Sequence, residues 1–118
     1  MKIAYVAGPY RAGNGRTVRQ NIRAAEDAAV AIWRAGWVAV CPHLNTAFFD
    51  GEVSDLSFLR GDLEIIRRLK PDAVILLPGW QQSHGSIGEA RLAESLHIPC
   101  YELDEWKAKY ASGERTNG

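Results

Sequence analysis

Residues 72–89, DAVILLPGWQQSHGSIGE, decide the fold of this chain. Residues 73–77 are its most strongly apolar run, and a short apolar run closed by Pro78-Gly79 reads as a central strand buried on both faces. A loop is predicted over residues 78–85. Small residues at Ser83, Gly85, Ser86 and Gly88 let backbone N–H groups come close to a ligand. A helix is predicted over residues 86–96, with Ser86 as its N-cap and Glu89 three positions on, the spacing of a capping box. The positive end of that helix faces the small-residue loop, a setting that suits an anion such as phosphate. Glu89 has two readings: a carboxylate turned into a pocket, or a first-turn residue that only caps its own helix.

The same alternation extends on either side. Residues 2–7 form an apolar run closed by Gly8-Pro9, a buried strand, and residues 10–16 are a glycine-rich loop. Ile22, Ala25, Ala29, Ile32 and Trp33 recur at helical spacing until Gly36 supplies a stop. Residues 37–41 read as a second strand ended by Pro42, and residues 43–53 as loop. Leu56, Leu59, Leu63 and Ile66 form another helical stripe, ended at Lys70-Pro71. After the central stretch come a strand over residues 100–103 and a short helix to Tyr110 that Asp104 caps. Strands and helices in strict alternation predict a Rossmann-like or flavodoxin-like three-layer α/β sandwich with a four- to five-stranded parallel sheet. One domain over residues 1–111 is expected, followed by a polar, flexible tail over residues 112–118. In such sheets ligands bind beyond the carboxyl ends of the strands, so any site is assembled from the loops at residues 8–16, 42–50 and 78–88.

Composition narrows the partners. The 118 residues carry 14 basic and 14 acidic side chains, with 47% hydrophobic and 24% charged residues. Neither a nucleic-acid polymer nor a membrane surface is expected as partner, since both want a basic excess. A small molecule or a protein remains. Cys41 and Cys100 sit in separate apolar stretches and read as two thiols rather than a bridge. The apolar start breaks at Gly8-Pro9, too early for a signal segment or a membrane span, so a cytoplasmic location is expected.

Arg11 stands between Gly8 and Gly13, where a guanidinium can grip a phosphate with two bonds or simply be solvated. Gly13-Asn14-Gly15 is not a dinucleotide fingerprint, because Val18 occupies the place of the third glycine. Asp62 lies on a helix beside Gly61, an ordinary surface position by itself, and Asp72 reads as a turn residue. His43 and His84 fall in loops on the ligand edge. With no partner at ligand spacing, no metal and no cofactor are expected. Trp80 reads equally as a stacking surface or a core aromatic.

Together these segments resemble the nucleoside 2-deoxyribosyltransferase superfamily, and most of all its 2'-deoxynucleoside 5'-monophosphate N-glycosidases and small uncharacterised bacterial and phage relatives. The resemblance covers about residues 2–101. It is carried by Ile3 to Gly13 (IAYVAGPYRAG), by Asp62-Leu63-Glu64 with Asp72-Ala73-Val74-Ile75, by Ser83-His84-Gly85 with Glu89 six positions after Ser83, and by Ile98-Pro99-Cys100. It implies that Glu89 attacks the anomeric carbon, that Asp62 holds or protonates groups around sugar and base, and that Tyr5 hydrogen-bonds the catalytic carboxylate. Ser83, Gly85 and Arg11 then hold the 5' end of the substrate. The resemblance further implies a homo-oligomer, dimer or larger. The nucleoside transferases usually carry an acidic residue six positions before the nucleophile, gripping a free 5'-hydroxyl. Ser83 stands there instead, and a serine accepts the phosphate that an aspartate repels. Arg91 departs from the pattern, which often has glycine at its position. His43 and His84 are left to base choice.

The chemistry is coherent by itself. Glycosidic cleavage passes through a cationic, oxocarbenium-like sugar, which an ionised carboxylate stabilises and traps as an ester. A second group must help the base leave. The expected function is hydrolysis of the N-glycosidic bond of a small (deoxy)nucleoside 5'-monophosphate. The alternatives are a base-exchanging nucleoside 2-deoxyribosyltransferase and a nucleotide-binding sensor without turnover.

Overall fold

The computed structural model of the chain describes residues 1–13 and 15–111. Residue 14, and residues 112–118 read above as a tail, lie outside the described residues. Strands β1 (Ile3–Ala7), β2 (Val38–Val40), β3 (Ala73–Leu76) and β4 (Cys100–Glu102) form one sheet in the order β2-β1-β3-β4. Every pairing is parallel, with Ile3 opposite Val38, Tyr5 opposite Val74, and Ile75 opposite Tyr101. β3 is an inner strand, as its unbroken apolar run predicts, and β1 is the other.

Residues of the inner strands alternate between two cores, as the two-residue period of a strand requires. Ala4, Val6, Ala73, Ile75 and Leu77 pack with Ala25, Ala28 and Ile32 of helix α1 (Val18–Arg34), and with Trp37 and Trp106. Tyr5, Ala7, Val74 and Leu76 face the other way, toward Ile66 of α3 (Asp55–Leu69), Ala93 of α4 (His84–Ser95) and Ile98. The result is the expected three-layer α/β/α sandwich. α1 starts at a reciprocal cap in which Thr17 accepts from Gln20 N–H at 3.1 Å and Gln20 accepts from Thr17 N–H at 2.9 Å. It ends before Gly36, whose φ of 87° suits glycine. α3 is capped by Ser54 and ends at Lys70, held at φ 48° ahead of Pro71.

Three elements differ from the sequence expectation. A short helix α2 (Pro42–Asn45) occupies the start of the predicted loop, because proline at the first helical position presets φ and Thr46 returns its N–H to the Pro42 carbonyl. α4 begins at His84, and its N-cap is Ser83 rather than Ser86. Ser83 Oγ accepts from Ser86 N–H at 3.2 Å, and Ser86 is buried inside the first turn. The last helix, α5 (Leu103–Trp106), is capped at Glu102 rather than Asp104 and passes into a π-helical turn over Lys107–Ala111. Trp106 is fully buried edge-on to Trp37 at 5.4 Å, which anchors this end. Among the described residues no helix is long and apolar enough to cross a membrane. Cys41 and Cys100 are both free thiols.

The chain leaves β1 for α1 on one face of the sheet and leaves β3 for α4 on the other. Between those two strands lies the switch point of the sheet, where a crevice opens beyond their carboxyl ends.

Candidate active site

A cavity of about 640 Å³ occupies that crevice, walled by the loops after β1, β2 and β3 and by the N-terminal half of α3. Its deepest charged group is Glu89. This residue is the sixth of α4, past the first turn, and Ser83 already caps the helix, so Glu89 does not. Its side chain runs inward, 6% exposed, and its Oε2 accepts the hydroxyl of Tyr5. Tyr5 comes from the middle of β1 and is fully buried. It stands behind Glu89 rather than in the cavity wall.

Burial sets the electrostatics of this pair. It pushes the Glu89 carboxyl up to about 8; the Tyr5 hydrogen bond pulls down, and the nearby Asp62 charge pushes further up. Burial, with the Glu89 and Asp62 charges added, raises the Tyr5 phenol above its ordinary value, so Tyr5 stays protonated and serves as a donor. Asp62 projects from α3 into the same cavity, half-buried, and burial lifts its carboxyl to about 6. Two carboxyl groups that feel each other titrate as a unit. Between about pH 6 and 8 the pair carries one proton.

At the β3 end of the cavity stand Ser83, His84, Gly85 and Ser86, the first turn of α4. Ser83 Oγ accepts from both Ser86 N–H at 3.2 Å and Ser86 Oγ at 2.9 Å. A hydroxyl has two acceptor sites and one donor, so what Ser83 has left to offer is its hydrogen. A side chain at Gly85 would meet only Leu59 Cδ1, at 3.8 Å. Internal packing therefore does not demand glycine there, and its lack of a Cβ leaves room beside the helix start.

The other end is built from the loops after β1 and β2. Gly8 lines the cavity, but a Cβ on it would lie 2.7 Å from Leu77 Cβ, so its small size lets the ends of β1 and β3 close together. Gly13 also lines the wall, with φ at 130°. Arg11 binds Asp55 and stands 4.0 Å from Asp50, with 55% of its side chain exposed. The structure thus places Arg11 beside two carboxylates of the β2 side. His43 is 7% exposed and donates Nε2–H to the Pro9 carbonyl at 2.9 Å, while its ring leans on Tyr10 at 5.8 Å. Burial lowers its pKa, so the ring is neutral and works as a clamp on the β1 loop.

Sequence reasoning missed several of these residues. Asn21, 3% exposed on α1, donates Nδ2–H to the carbonyls of Tyr10 and Arg11, both at 3.1 Å. Its signal was a polar residue inside an apolar helical stripe. Tyr10 donates to Asp50 Oδ1 at 2.6 Å and accepts Phe48 N–H at 2.9 Å, and Asp50 and Asp55 line the cavity. Nothing in the spacing of residues 43–55 marks those two aspartates. Other residues lie elsewhere. Trp80 packs on the second core and donates Nε1–H to Glu102 at 3.2 Å, the core reading of that side chain. Arg91 is exposed on α4, outside the cavity wall. Asp72 accepts Ile3 N–H at 2.8 Å, a clasp between β1 and β3.

Residues 1–102 match the family described as Domain of unknown function (DUF4406), and the chain belongs to it. The chain matches no curated protein.

Proposed function

We propose that this member of the DUF4406 family hydrolyses the N-glycosidic bond of a (deoxy)nucleoside 5'-monophosphate, with Glu89 as nucleophile and free base as product. The observation that carries the reading is the buried Glu89 carboxyl, gripped by Tyr5 and opening onto a cavity that the start of its own helix also lines. A carboxylate in a dry site stabilises a developing sugar cation more strongly than one in water. The N-terminus of α4 and the free hydrogen of Ser83 suit a dianionic 5' phosphate.

In the free site the single proton of the pair rests on Glu89, whose carboxyl is the more raised. The chemistry therefore requires its transfer to Asp62 as substrate binds, leaving Glu89 ionised to attack and Asp62 protonated to donate. Glu89 attacks C1', the C1'–N bond breaks with its electron pair going to the base, and Asp62 gives that nitrogen its proton. Water then attacks C1', the ester bond breaks, and Asp62 takes the proton back while Glu89 leaves as carboxylate. Tyr5, unable to ionise at working pH, keeps one Glu89 oxygen fixed while the other reacts. A homo-oligomer belongs to the same reading; the exposed Phe48, Phe49 and Val53, on the loop that also carries Asp50, are the supporting feature.

The test is chromatography of a panel of nucleosides and 5'-monophosphates. Free base is expected from at least one monophosphate, with the matching nucleoside poorer. Glu89→Ala should lower turnover at least about 100-fold, as removal of a nucleophile does. Undiminished turnover in Glu89→Ala would falsify the role of Glu89. A new nucleoside on addition of a second base would make the enzyme a transferase.

A further inference from the structure

We infer that the β2 side of the cavity selects bases bearing an exocyclic amino group, and that Asp50 is the side chain that reads it. The inference rests on the nucleotide reading above and names the substrate class within it.

Strand order fixes where a base must lie. Along the carboxyl edge of the sheet the loops follow in the order β2, β1, β3. The β3 end holds the start of α4 and takes the phosphate. Glu89 and Asp62 take the sugar. The base is left the end formed by the β1 and β2 loops, where Tyr10, His43 and Asp50 stand.

That end is rigid and rich in acceptors. Tyr10 Oη donates to Asp50 Oδ1 at 2.6 Å and is itself pinned by Phe48 N–H at 2.9 Å. The Tyr10 backbone carbonyl is held by Asn21, and its ring rests on His43, itself tied to Pro9. Asp50 is thereby oriented through one oxygen. Its Oδ2 lies 4.0 Å from Arg11 Nη1, beyond hydrogen-bond distance, because the guanidinium is bound to Asp55. Among the described residues Asp50 therefore keeps an acceptor with no strong donor upon it, in a wall with one guanidinium already neutralised.

An ionised carboxylate only accepts. Adenine and cytosine present an amino donor where thymine presents a carbonyl oxygen, and guanine carries an amino group of its own. A carbonyl set against Asp50 leaves both oxygens unpaired and repelling. Sites that hydrogen-bond a substrate group reject the analogue lacking it far more strongly than apolar pockets reject a misfit.

Two matched pairs exchange the amino group for an oxygen, the adjacent ring nitrogen turning from acceptor to N–H donor: dCMP against dUMP, and dAMP against dIMP. Within each pair the size is nearly constant. We expect kcat/KM to favour the amino member about 10-fold or more in both. Asp50→Asn keeps an oxygen for Tyr10 but turns an NH2 toward the base, so it should collapse or invert the ratio. Equal rates within the pairs, or a ratio that Asp50→Asn leaves unchanged while lowering all four rates together, would overturn the inference and make Asp50 a structural residue. Calorimetry on the same pairs separates this from the hydrolysis reading. An amino preference in Kd without cleavage upholds the base subsite and removes the hydrolase. Cleavage without preference does the reverse, and no binding of any of the four removes both.

Discussion

Helices α1 and α3 run to 17 and 15 residues, each begins at a hydroxyl cap, and each carries an apolar stripe at helical spacing. α1 buries six residues, of which Ala25, Ala28 and Ile32 pack into the core on the sheet. α3 buries only Ile66. The start of its stripe faces the cavity instead: Leu56 is 54% exposed, and it lines the wall with Leu59 and the neighbouring Phe58. The polar residue within each stripe repeats the contrast. Asn21 on α1 gives its amide hydrogens to two backbone carbonyls. Asp62 on α3 has no hydrogen-bond partner among the described residues, and half-burial raises its carboxyl to about 6. A periodic stripe names a face of a helix. What that face meets is decided by where the sheet ends.

The largest loss by substitution is expected from truncating the α1 side. Ile32 is fully buried between the sheet and Trp106. Ile32→Ala should destabilise the chain by about 3–4 kcal/mol in urea unfolding, the lost transfer energy plus a cavity. A loss below about 1 kcal/mol would mean that α1 is no more tightly seated than α3.

Comparable in size is the share of the pH dependence of stability that the two cavity carboxyls contribute, Asp62 on α3 and Glu89 on α4. Glu89 and Asp62 have carboxyls raised by burial to about 8 and about 6, against ordinary values of 4.5 and 3.8. A raised carboxyl binds its proton more tightly folded than unfolded. Its stabilising contribution is complete below about pH 4 and is lost as pH rises through 6 and then 8. Unfolding free energy should therefore fall from pH 5 to pH 9. Glu89→Gln holds a neutral group in the same place, so it should be more stable than the parent at pH 8 by about 4 kcal/mol and show a flatter curve. A parent curve level between pH 5 and 9 would show that neither carboxyl is buried as described.

The fold was legible because its signals are local and repeated. The apolar run over residues 73–77, the breaks at Gly8-Pro9 and Gly36, and the stripes of α1 and α3 each report a period that one backbone geometry satisfies. The cap of α4 lies three residues before the predicted one: Ser86 with Glu89 has the capping-box spacing, but Ser83 Oγ takes the Ser86 N–H and Ser86 is buried inside the first turn. Of the site, Glu89, Asp62, Ser83 and Gly85 stood out through their order along the chain, and they share one cavity. Tyr10, Asn21, Asp50 and Asp55 did not, because their pairings span 10 to 44 residues of sequence. Such contacts exist only once strand order has set the β1 and β2 loops side by side. The same distance explains Arg11: its neighbourhood in sequence is glycine, its neighbourhood in space is acidic.

The smallest effect expected is on Leu56, and it is the most telling. A leucine at a stripe position reads as core, and truncation in a core costs several kcal/mol. Leu56 is 54% exposed, so Leu56→Ala should lower stability by less than about 1 kcal/mol. Its cost should appear in binding, because it covers one wall of the cavity proposed to hold the nucleotide, beside Asp55. KM for the best monophosphate should rise several-fold while kcat holds, since no reacting atom is touched. If kcat fell and KM stayed constant, α3 would be reporting on the transition state rather than on ground-state binding. If stability fell as far as in Ile32→Ala, the α3 stripe would be core after all, and the contrast between the two helices would dissolve.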